Sequence, residues 1–118
     1  MKAISQHFYR HDFACPCGCG FADISKELVS LLERVYQYFE RPVYVQLGCC
    51  CTYYNKAHGG EYATQHLLGA AADILVNTIA PDAVADYLEN AYPKEYGIGR
   101  GESYTHIDVR PLPKRWRE

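Results

Sequence analysis

The sequence predicts an α+β domain that has a small, mainly antiparallel sheet and two main helices. Two observations predict this class. Apolar residues recur at helical spacing in segments 23–40 and 81–91, and short β-branched or alternating segments lie between and after them. A chain of 118 residues that mixes helices and strands in this way favours one modest core. We therefore expect residues 1–118 to form a single domain.

The chain begins with an arm and a loop. Residues 1–14 carry Phe8 and Phe13 as apolar anchors of the arm. The segment ACPCGCGF at 14–21 is rich in glycine and proline and must be a loop. The arm is therefore expected to reach the first helix through this loop.

The first helix is predicted over 23–40 and is followed by a strand. Asp23 or Ser25 is the expected N-cap, and Pro42 ends the helix. The β-branched and aromatic segment VYVQL at 43–47 is typical of a strand. The apolar positions that define the helix are Leu28, Leu31, Leu32, Val35 and Phe39.

The middle of the chain combines a long loop with a second strand. Segment 48–65 contains three glycines and little periodicity, so we expect a loop with one helical turn near residues 53–57. GAAADILV at 69–76 is typical of a strand, and its small residues allow another backbone or a ligand to come close.

The second helix is predicted over 81–91. Pro81 suits its first turn, and Val84, Leu88 and Ala91 share one face.

Two strands and a tail complete the chain. YGIGRG at 96–101 indicates a short strand or turn, and residues 111–118 are a tail that Trp116 docks onto the body. Segment 104–110 alternates as a strand does, with one face formed by Tyr104, His106 and Asp108.

The composition excludes several classes of protein. The chain is 48% hydrophobic and 22% charged, which is typical of a globular protein. A formal charge of −2 gives no electrostatic argument for nucleic-acid binding. No apolar run approaches the ~20 residues of a membrane span, and the N-terminal segment has no apolar signal-peptide stretch. We expect a soluble monomer without its own secretory signal.

Six cysteines lie in two clusters, one in 14–21 and one at 49–51. A disulfide between sequence neighbours has unfavourable geometry, so any bond would join the two clusters. In a reducing compartment the thiols would stay free or bind metal, and a structural zinc shared by the clusters is a third alternative. The residues are Cys15, Cys17, Cys19, Cys49, Cys50 and Cys51.

His66, Asp73 and His106 are the candidate ligands of a catalytic zinc ion at the sheet face. Two imidazoles and one carboxylate fill three positions of a tetrahedral site and leave the fourth open for water or substrate. If His66 lies on the loop before the second strand and Asp73 projects from that strand, both can face one point. His106 on a neighbouring strand would complete the set.

Several motifs, in order along nearly the whole chain, carry a family resemblance. QHLLGAAADI, YGIG, THIDVR and a closing RW resemble zinc D-alanyl-D-alanine carboxypeptidases and phage endolysin-type peptidases of the same superfamily. HFYRHDFACPCGCG is similar to the opening of short phage and prophage members. YYNKAHGG matches a stretch that contributes Tyr54, Asn55, Gly59 and Gly60.

The resemblance implies a zinc metallopeptidase that cleaves the stem peptides of bacterial peptidoglycan. It implies His66, Asp73 and His106 as the zinc ligands, with Gln65 and Asn55 as substrate-binding candidates. It also suggests a protein that stays in the cytoplasm until release, or one associated with a phage, acting on the cell wall.

The sequence departs from the family pattern at the substrate-binding arginine. Relatives carry Ser-Gly-Tyr-Arg after the first strand, and here the arginine position is Cys50. A neutral thiol cannot make the two parallel hydrogen bonds that a guanidinium makes to a carboxylate. Arg100 and Arg110 are the candidates to replace it.

The general base is a second departure. Many relatives have an acid three residues before the last zinc histidine, where this chain has Ser103. We favour Asp108 as the functional acid, either as the base or as a residue that orients a ligand, with Glu102 as the alternative.

These departures leave two other functions open. One is a cell-wall-binding module with the same fold and little or no turnover. The other is a structural-metal or redox protein that depends on its cysteines.

Overall fold

A computed structural model describes residues 3–57 and 64–118. Within these residues the chain forms one 3-10 helix, four α-helices and five strands. The helices are the 3-10 helix Arg10–Phe13, α1 Lys26–Phe39, α2 Thr52–Ala57, α3 Thr64–Leu67 and α4 Pro81–Ala91. The strands are β1 Val43–Leu47, β2 Ala71–Val76, β3 Gly97–Arg100, β4 Thr105–Asp108 and β5 Lys114–Arg117.

The first main helix, α1, begins at the predicted N-cap. Of the two candidates the structure selects Ser25, whose hydroxyl accepts a hydrogen bond of 3.3 Å from the Leu28 N–H. The helix ends at Phe39, and its C-cap Glu40 is in the left-handed conformation with φ of 51°. This conformation stops the helical hydrogen bonding before Pro42 turns the chain into β1.

The N-terminal arm is fastened to α1 by polar and aromatic contacts. The Glu33 carboxylate accepts hydrogen bonds from the Ser5 hydroxyl and from the His7 backbone N–H. The His7 ring stacks on Tyr36 with ring centroids 3.7 Å apart, and Phe8 meets Tyr36 edge-on. Burial raises the pKa of Glu33, but the hydrogen bonds from Ser5 and His7 outweigh it and hold that pKa below its ordinary value.

The five strands form one sheet in the order β1-β2-β4-β3-β5. Neighbours pair antiparallel except for β5, which runs parallel to β3 at the edge of the sheet. The two main helices, α1 and α4, contact β2, and α4 also contacts β3 and β4. One face of the sheet therefore forms the core with these helices, and the other is free to form a site. The sheet residues buried in the core include Ala72, Ile74, Val76, Ile98 and Ile107.

Asp73 and His106 lie on the opposite face, in one row across the sheet. Asp73 of β2 pairs with His106 of β4, His106 pairs with Gly99 of β3, and Gly99 pairs with Trp116 of β5. Cross-strand partners project on the same side of a sheet, so this pairing brings two predicted ligands together. The register thus decides where the site forms.

The α+β class with a mainly antiparallel sheet is confirmed, with corrections to its parts. The predicted tail at 111–118 is wrong, because Lys114–Arg117 is a strand whose charged residues fit a sheet edge. Ala91 is exposed, and Ala85 is buried on α4 in its place. His66 lies on the short helix α3 rather than on a loop.

The remaining predictions for the middle of the chain fall partly on undescribed residues. The helical turn predicted near residues 53–57 is confirmed as α2, and segment 48–65 also contains the start of α3, which was not predicted. Gly59 and Gly60 lie outside the described residues.

None of the helices in the described part of the chain is both long and apolar enough to cross a membrane.

Candidate metal centre

His66 is oriented by the backbone of a neighbouring loop. It lies on α3, is 3% exposed, and its Nδ1 is 2.7 Å from the carbonyl oxygen of Gly48. A carbonyl only accepts hydrogen bonds, so Nδ1 must carry the proton and donate it. The Nε2 lone pair then faces the cluster, 3.4 Å from Asp73 Oδ1.

The His106 ring is held by a carboxylate through Nε2, whereas the His66 ring is held through Nδ1. His106 Nε2 is 2.7 Å from Oδ2 of Asp108, a side chain that is fully buried. Its Nδ1 is 3.0 Å from Asp73 Oδ1. Burial lowers the pKa of His106, but the bonds to Asp108 and Asp73 outweigh it and raise that pKa above its ordinary value.

Asp73 is the carboxylate on which both imidazoles converge. Burial raises the pKa of Asp73, but the bonds to His106 and His66 outweigh it and keep the carboxylate ionised. The side chain of Asp73 is 17% exposed, whereas each histidine side chain is 4% exposed. The cluster therefore reaches solvent on the side of this carboxylate.

The donor atoms of the three residues fit a metal ion. They all lie within 4.8 Å of one another. Bonds of about 2.0–2.1 Å in a tetrahedral site separate nitrogen and oxygen donors by about 3.3 Å, close to the distances found here. Each imidazole also has its other nitrogen bonded to an acceptor, as is typical of metal-binding histidines. Among the described residues the group contains three ligands, so a tetrahedral ion bound there would keep one position open.

A family model identifies the class of protein that carries this centre. The model for Peptidase M15 matches residues 6–108. The chain belongs to the Peptidase M15 family. M15 peptidases are metal-dependent, so membership implies a hydrolase of the metallopeptidase type. Neither a curated protein nor a solved structure matches the chain.

Two glycines of β3 make room for the polar side of this M15 centre. A Cβ at Gly97 would overlap the Asp108 carboxylate, and a Cβ at Gly99 would overlap the Trp116 ring. The Trp116 ring lies 5.0 Å from the His106 ring, centroid to centroid. Trp116 therefore docks the C-terminal strand onto His106, and this contact needs glycine at position 99.

Asp108 fits the second of its predicted roles, that of orienting a ligand. Its carboxylate accepts a hydrogen bond from His106 and bonds of 2.7 Å from both Nε and Nη2 of Arg110. Burial raises the pKa of Asp108, but these bonds outweigh it and hold that pKa far below its ordinary value. Such a carboxylate is a poor proton acceptor, so the alternative role as general base is disfavoured.

The two arginines predicted to bind substrate have different environments. Arg100 projects from the helix side of β3 and pairs with three acids of α4, so the structure does not bring it to the M15 centre. Arg110 is at the centre, where it pairs with Asp108, and its guanidinium lies 5.4 Å from the Trp116 ring centroid. The α4 partners of Arg100 are Asp82, Asp86 and Glu89.

The other predicted residues are spread around the centre. Gln65 is next to His66 on α3, and Asn55 is on α2 with a buried Oδ1 that has no hydrogen-bond partner among the described residues. Glu102 is exposed in the turn between β3 and β4. Cys50 is 2% exposed, and its thiol faces the Cys51 carbonyl.

Glu118 is an acid at the centre that sequence reasoning missed. Its carboxylate accepts a hydrogen bond of 3.3 Å from the Trp116 indole N–H. Partial burial and the negative charge of Asp73 raise the pKa of Glu118, while His66 lowers it. Glu118 thus lies close enough to Asp73 and His66 to sense their charges. The only sequence signal was its place two residues after Trp116.

Proposed function

We propose that this chain is a zinc-dependent peptidase that cleaves the stem peptides of bacterial peptidoglycan. The observation that carries the proposal is the convergence of His66 Nε2, Asp73 Oδ1 and His106 Nδ1 on one partly exposed point. Two imidazoles and one carboxylate are a recognised ligand set of catalytic zinc. The M15 family supports hydrolysis of a peptide, and the resemblance of the motifs supports the cell-wall substrate.

The residues of the chain would divide the work as follows. His66, Asp73 and His106 hold the zinc ion, and Asp108 fixes the proton of His106 on Nε2 so that Nδ1 is free to bind. When bound, zinc lowers the pKa of a water molecule and polarises the carbonyl of the scissile peptide bond.

Glu118 is the residue to which we assign the proton transfer. Its carboxylate bonds to the indole of Trp116, whose ring packs on His106. The charges of Asp73 and His66 also act on the pKa of Glu118. In this role it takes a proton from the attacking water and passes it to the nitrogen of the leaving amine.

Substrate recognition must differ from that of relatives with an arginine at position 50. The Cys50 thiol is buried and neutral and cannot hold a terminal carboxylate. Arg110 is beside the centre but is already paired with Asp108. A bond within the stem peptide therefore suits this site better than removal of a terminal D-alanine.

The test is hydrolysis of purified peptidoglycan by the zinc-loaded chain, with released amines as the readout. His66→Ala is expected to lose both the metal and the activity. Two stem peptides, one ending in D-Ala-D-Ala and one internally cross-linked, separate the two cleavage types. A metal-loaded protein that binds peptidoglycan without releasing amines would reject the peptidase and leave a binding module.

The assignment of Glu118 has its own matched pair of variants. Glu118→Gln is expected to lower kcat by ~10²–10⁴-fold without releasing zinc, because general acid–base catalysis contributes about that much. Glu102→Gln, the same change at the exposed turn, is the control and should leave kcat unchanged. The reverse pattern would transfer the role to Glu102.

A further inference from the structure

Four of the six cysteines form a second cluster, away from the His/Asp centre. Cys15, Cys17, Cys19 and Cys51 place all their sulfur atoms within 4.8 Å of one another. The Sγ of Cys17 is 3.5 Å from that of Cys15 and 3.5 Å from that of Cys51. A disulfide bond is about 2.0 Å long, so these are free thiols in contact and not bonded pairs.

The spacing of the sulfur atoms suits a tetrahedral metal ion. Zinc–sulfur bonds of about 2.3 Å separate the sulfurs of a tetrahedral site by about 3.8 Å. The four sulfurs here lie close to that spacing and come from two chain segments, one on each side of α1 and β1. Four protein ligands complete the coordination shell, which is the arrangement of structural zinc sites and leaves no position for substrate.

The backbone around the cluster is arranged to favour thiolates. The Cys51 N–H donates to Cys15 Sγ, and the Tyr54 N–H donates to Cys51 Sγ, both at 3.4 Å. A backbone N–H that donates to sulfur stabilises the thiolate more than the neutral thiol. Both backbone N–H groups point at sulfur atoms, which is the direction in which they would donate to metal-bound thiolates.

The turn that carries the first three cysteines is closed by its own backbone. The Cys15 N–H donates to the Phe21 carbonyl at 2.8 Å, and the Gly18 N–H donates to the Cys15 carbonyl at 3.1 Å. Gly18 and Gly20 have φ of 84° and 93°, which glycine adopts most readily. The curled turn brings three alternate cysteines around one point, whereas an extended strand would space them along a line.

We propose that Cys15, Cys17, Cys19 and Cys51 bind one zinc ion in a closed tetrathiolate site. On binding, the four thiols release their protons to solvent and the thiolates take their place around the cation. The two remaining cysteines are excluded by position. Cys49 and Cys50 lie outside the group of four sulfurs, and the Cys50 thiol faces the Cys51 carbonyl.

The thiolate site would also position the first ligand of the M15 centre. Cys51 ends a loop whose Gly48 carbonyl orients the His66 ring and whose Cys50 N–H donates to the His66 carbonyl at 3.2 Å. The same loop is bonded to the arm, since the Cys49 N–H donates to the Phe13 carbonyl at 2.8 Å. A metal that ties this loop to the 15–19 turn therefore stabilises the surroundings of His66. This coupling, unlike the thiolate site itself, rests on the proposed function.

The test uses the full chain, purified under reducing conditions and loaded with zinc or with cobalt(II). We expect two zinc ions per wild-type chain and strong thiolate-to-cobalt charge-transfer absorption in the cobalt form. Cys17→Ser and Cys19→Ser should each lose one zinc and weaken this absorption. Both side chains are exposed, so these changes leave the core packing intact.

His66→Ala and Cys50→Ser are the controls. His66→Ala should keep the charge-transfer absorption while losing one zinc, because a His/Asp centre contributes no thiolate. Cys50→Ser changes a thiol outside the cluster and should keep both ions. A folded, cobalt-loaded wild type without the charge-transfer absorption overturns the thiolate site and leaves the peptidase proposal standing. A wild-type protein that shows the absorption but does not hydrolyse peptidoglycan overturns the peptidase proposal and leaves the thiolate site standing.

The coupling is read from Cys17→Ser as well. If the thiolate site positions His66, this variant should also bind its remaining zinc more weakly and unfold at a lower temperature. Unchanged affinity at the His/Asp centre, with the thiolate zinc lost, would reject the coupling and keep the two sites independent.

Discussion

Replacement of Asp108 by asparagine removes one charge next to the metal centre while keeping the shape of the side chain. The Asp108 carboxylate accepts from His106 Nε2 on one oxygen and from Arg110 on both oxygens. An asparagine must place an amide N–H₂ on one of the two sides. At the Oδ1 position, the amide would meet two donors of Arg110, its Nε and its backbone N–H. At the Oδ2 position, it would meet one donor of Arg110, Nη2, and would donate to His106 Nε2, which moves the imidazole proton onto Nδ1, the atom proposed to bind the metal.

The second orientation costs fewer hydrogen bonds, so Asp108→Asn should stabilise the wrong tautomer of His106. Loss of such an orienting carboxylate lowers metal affinity by about 10–100-fold, which corresponds to about 1.4–2.7 kcal/mol. We expect an effect in this range, with a proportional fall in activity at limiting zinc.

The assay is competition for zinc with a chromophoric chelator, with circular dichroism to establish that the variant is folded. Asp82→Asn is the matched control, because it makes the same chemical change at an exposed acid that pairs with Arg100 and Arg117. The control should bind zinc as wild type does. A folded Asp108→Asn protein with wild-type affinity would refute the role of Asp108.

Three further substitutions test contacts that hold the fold together. Gly69→Ala should destabilise the protein by more than ~1 kcal/mol in chemical unfolding, since φ is +68° and a Cβ would overlap the Asp23 carbonyl; equal stability would contradict the tight contact. Gly99→Ala should cost about 1–3 kcal/mol and change the fluorescence of Trp116, whose ring the added methyl would displace; an unchanged spectrum would mean that the ring packs elsewhere. Glu33→Gln should destabilise the protein near neutral pH. A carboxyl with a depressed pKa stabilises the fold above its ordinary pKa, and this contribution is lost as the pH falls. The difference from wild type should therefore shrink below about pH 4.3, and a difference independent of pH would exclude the charged contact.

Local patterns were sufficient for much of the fold. The apolar spacing of α1, its serine cap and the β-branched segment of β1 are properties of neighbouring residues, and the structure agrees with them closely. The terminal strand β5 could not be predicted in this way. Its residues Lys114–Arg117 are charged apart from Trp116, and only pairing with β3 makes them a strand.

For the candidate site too, some features could be predicted from the sequence and others depended on the tertiary structure. The sequence predicted the three candidate ligands and the likeness to a family, because residue types and motif order are written along the chain. The tertiary structure decided which nitrogen of each histidine is free, that Arg100 faces α4 while Glu118 bonds to Trp116 beside His106, and that four of six thiols meet. These outcomes depend on strand register and loop closure, which join residues far apart in sequence and leave no periodic signal in either partner.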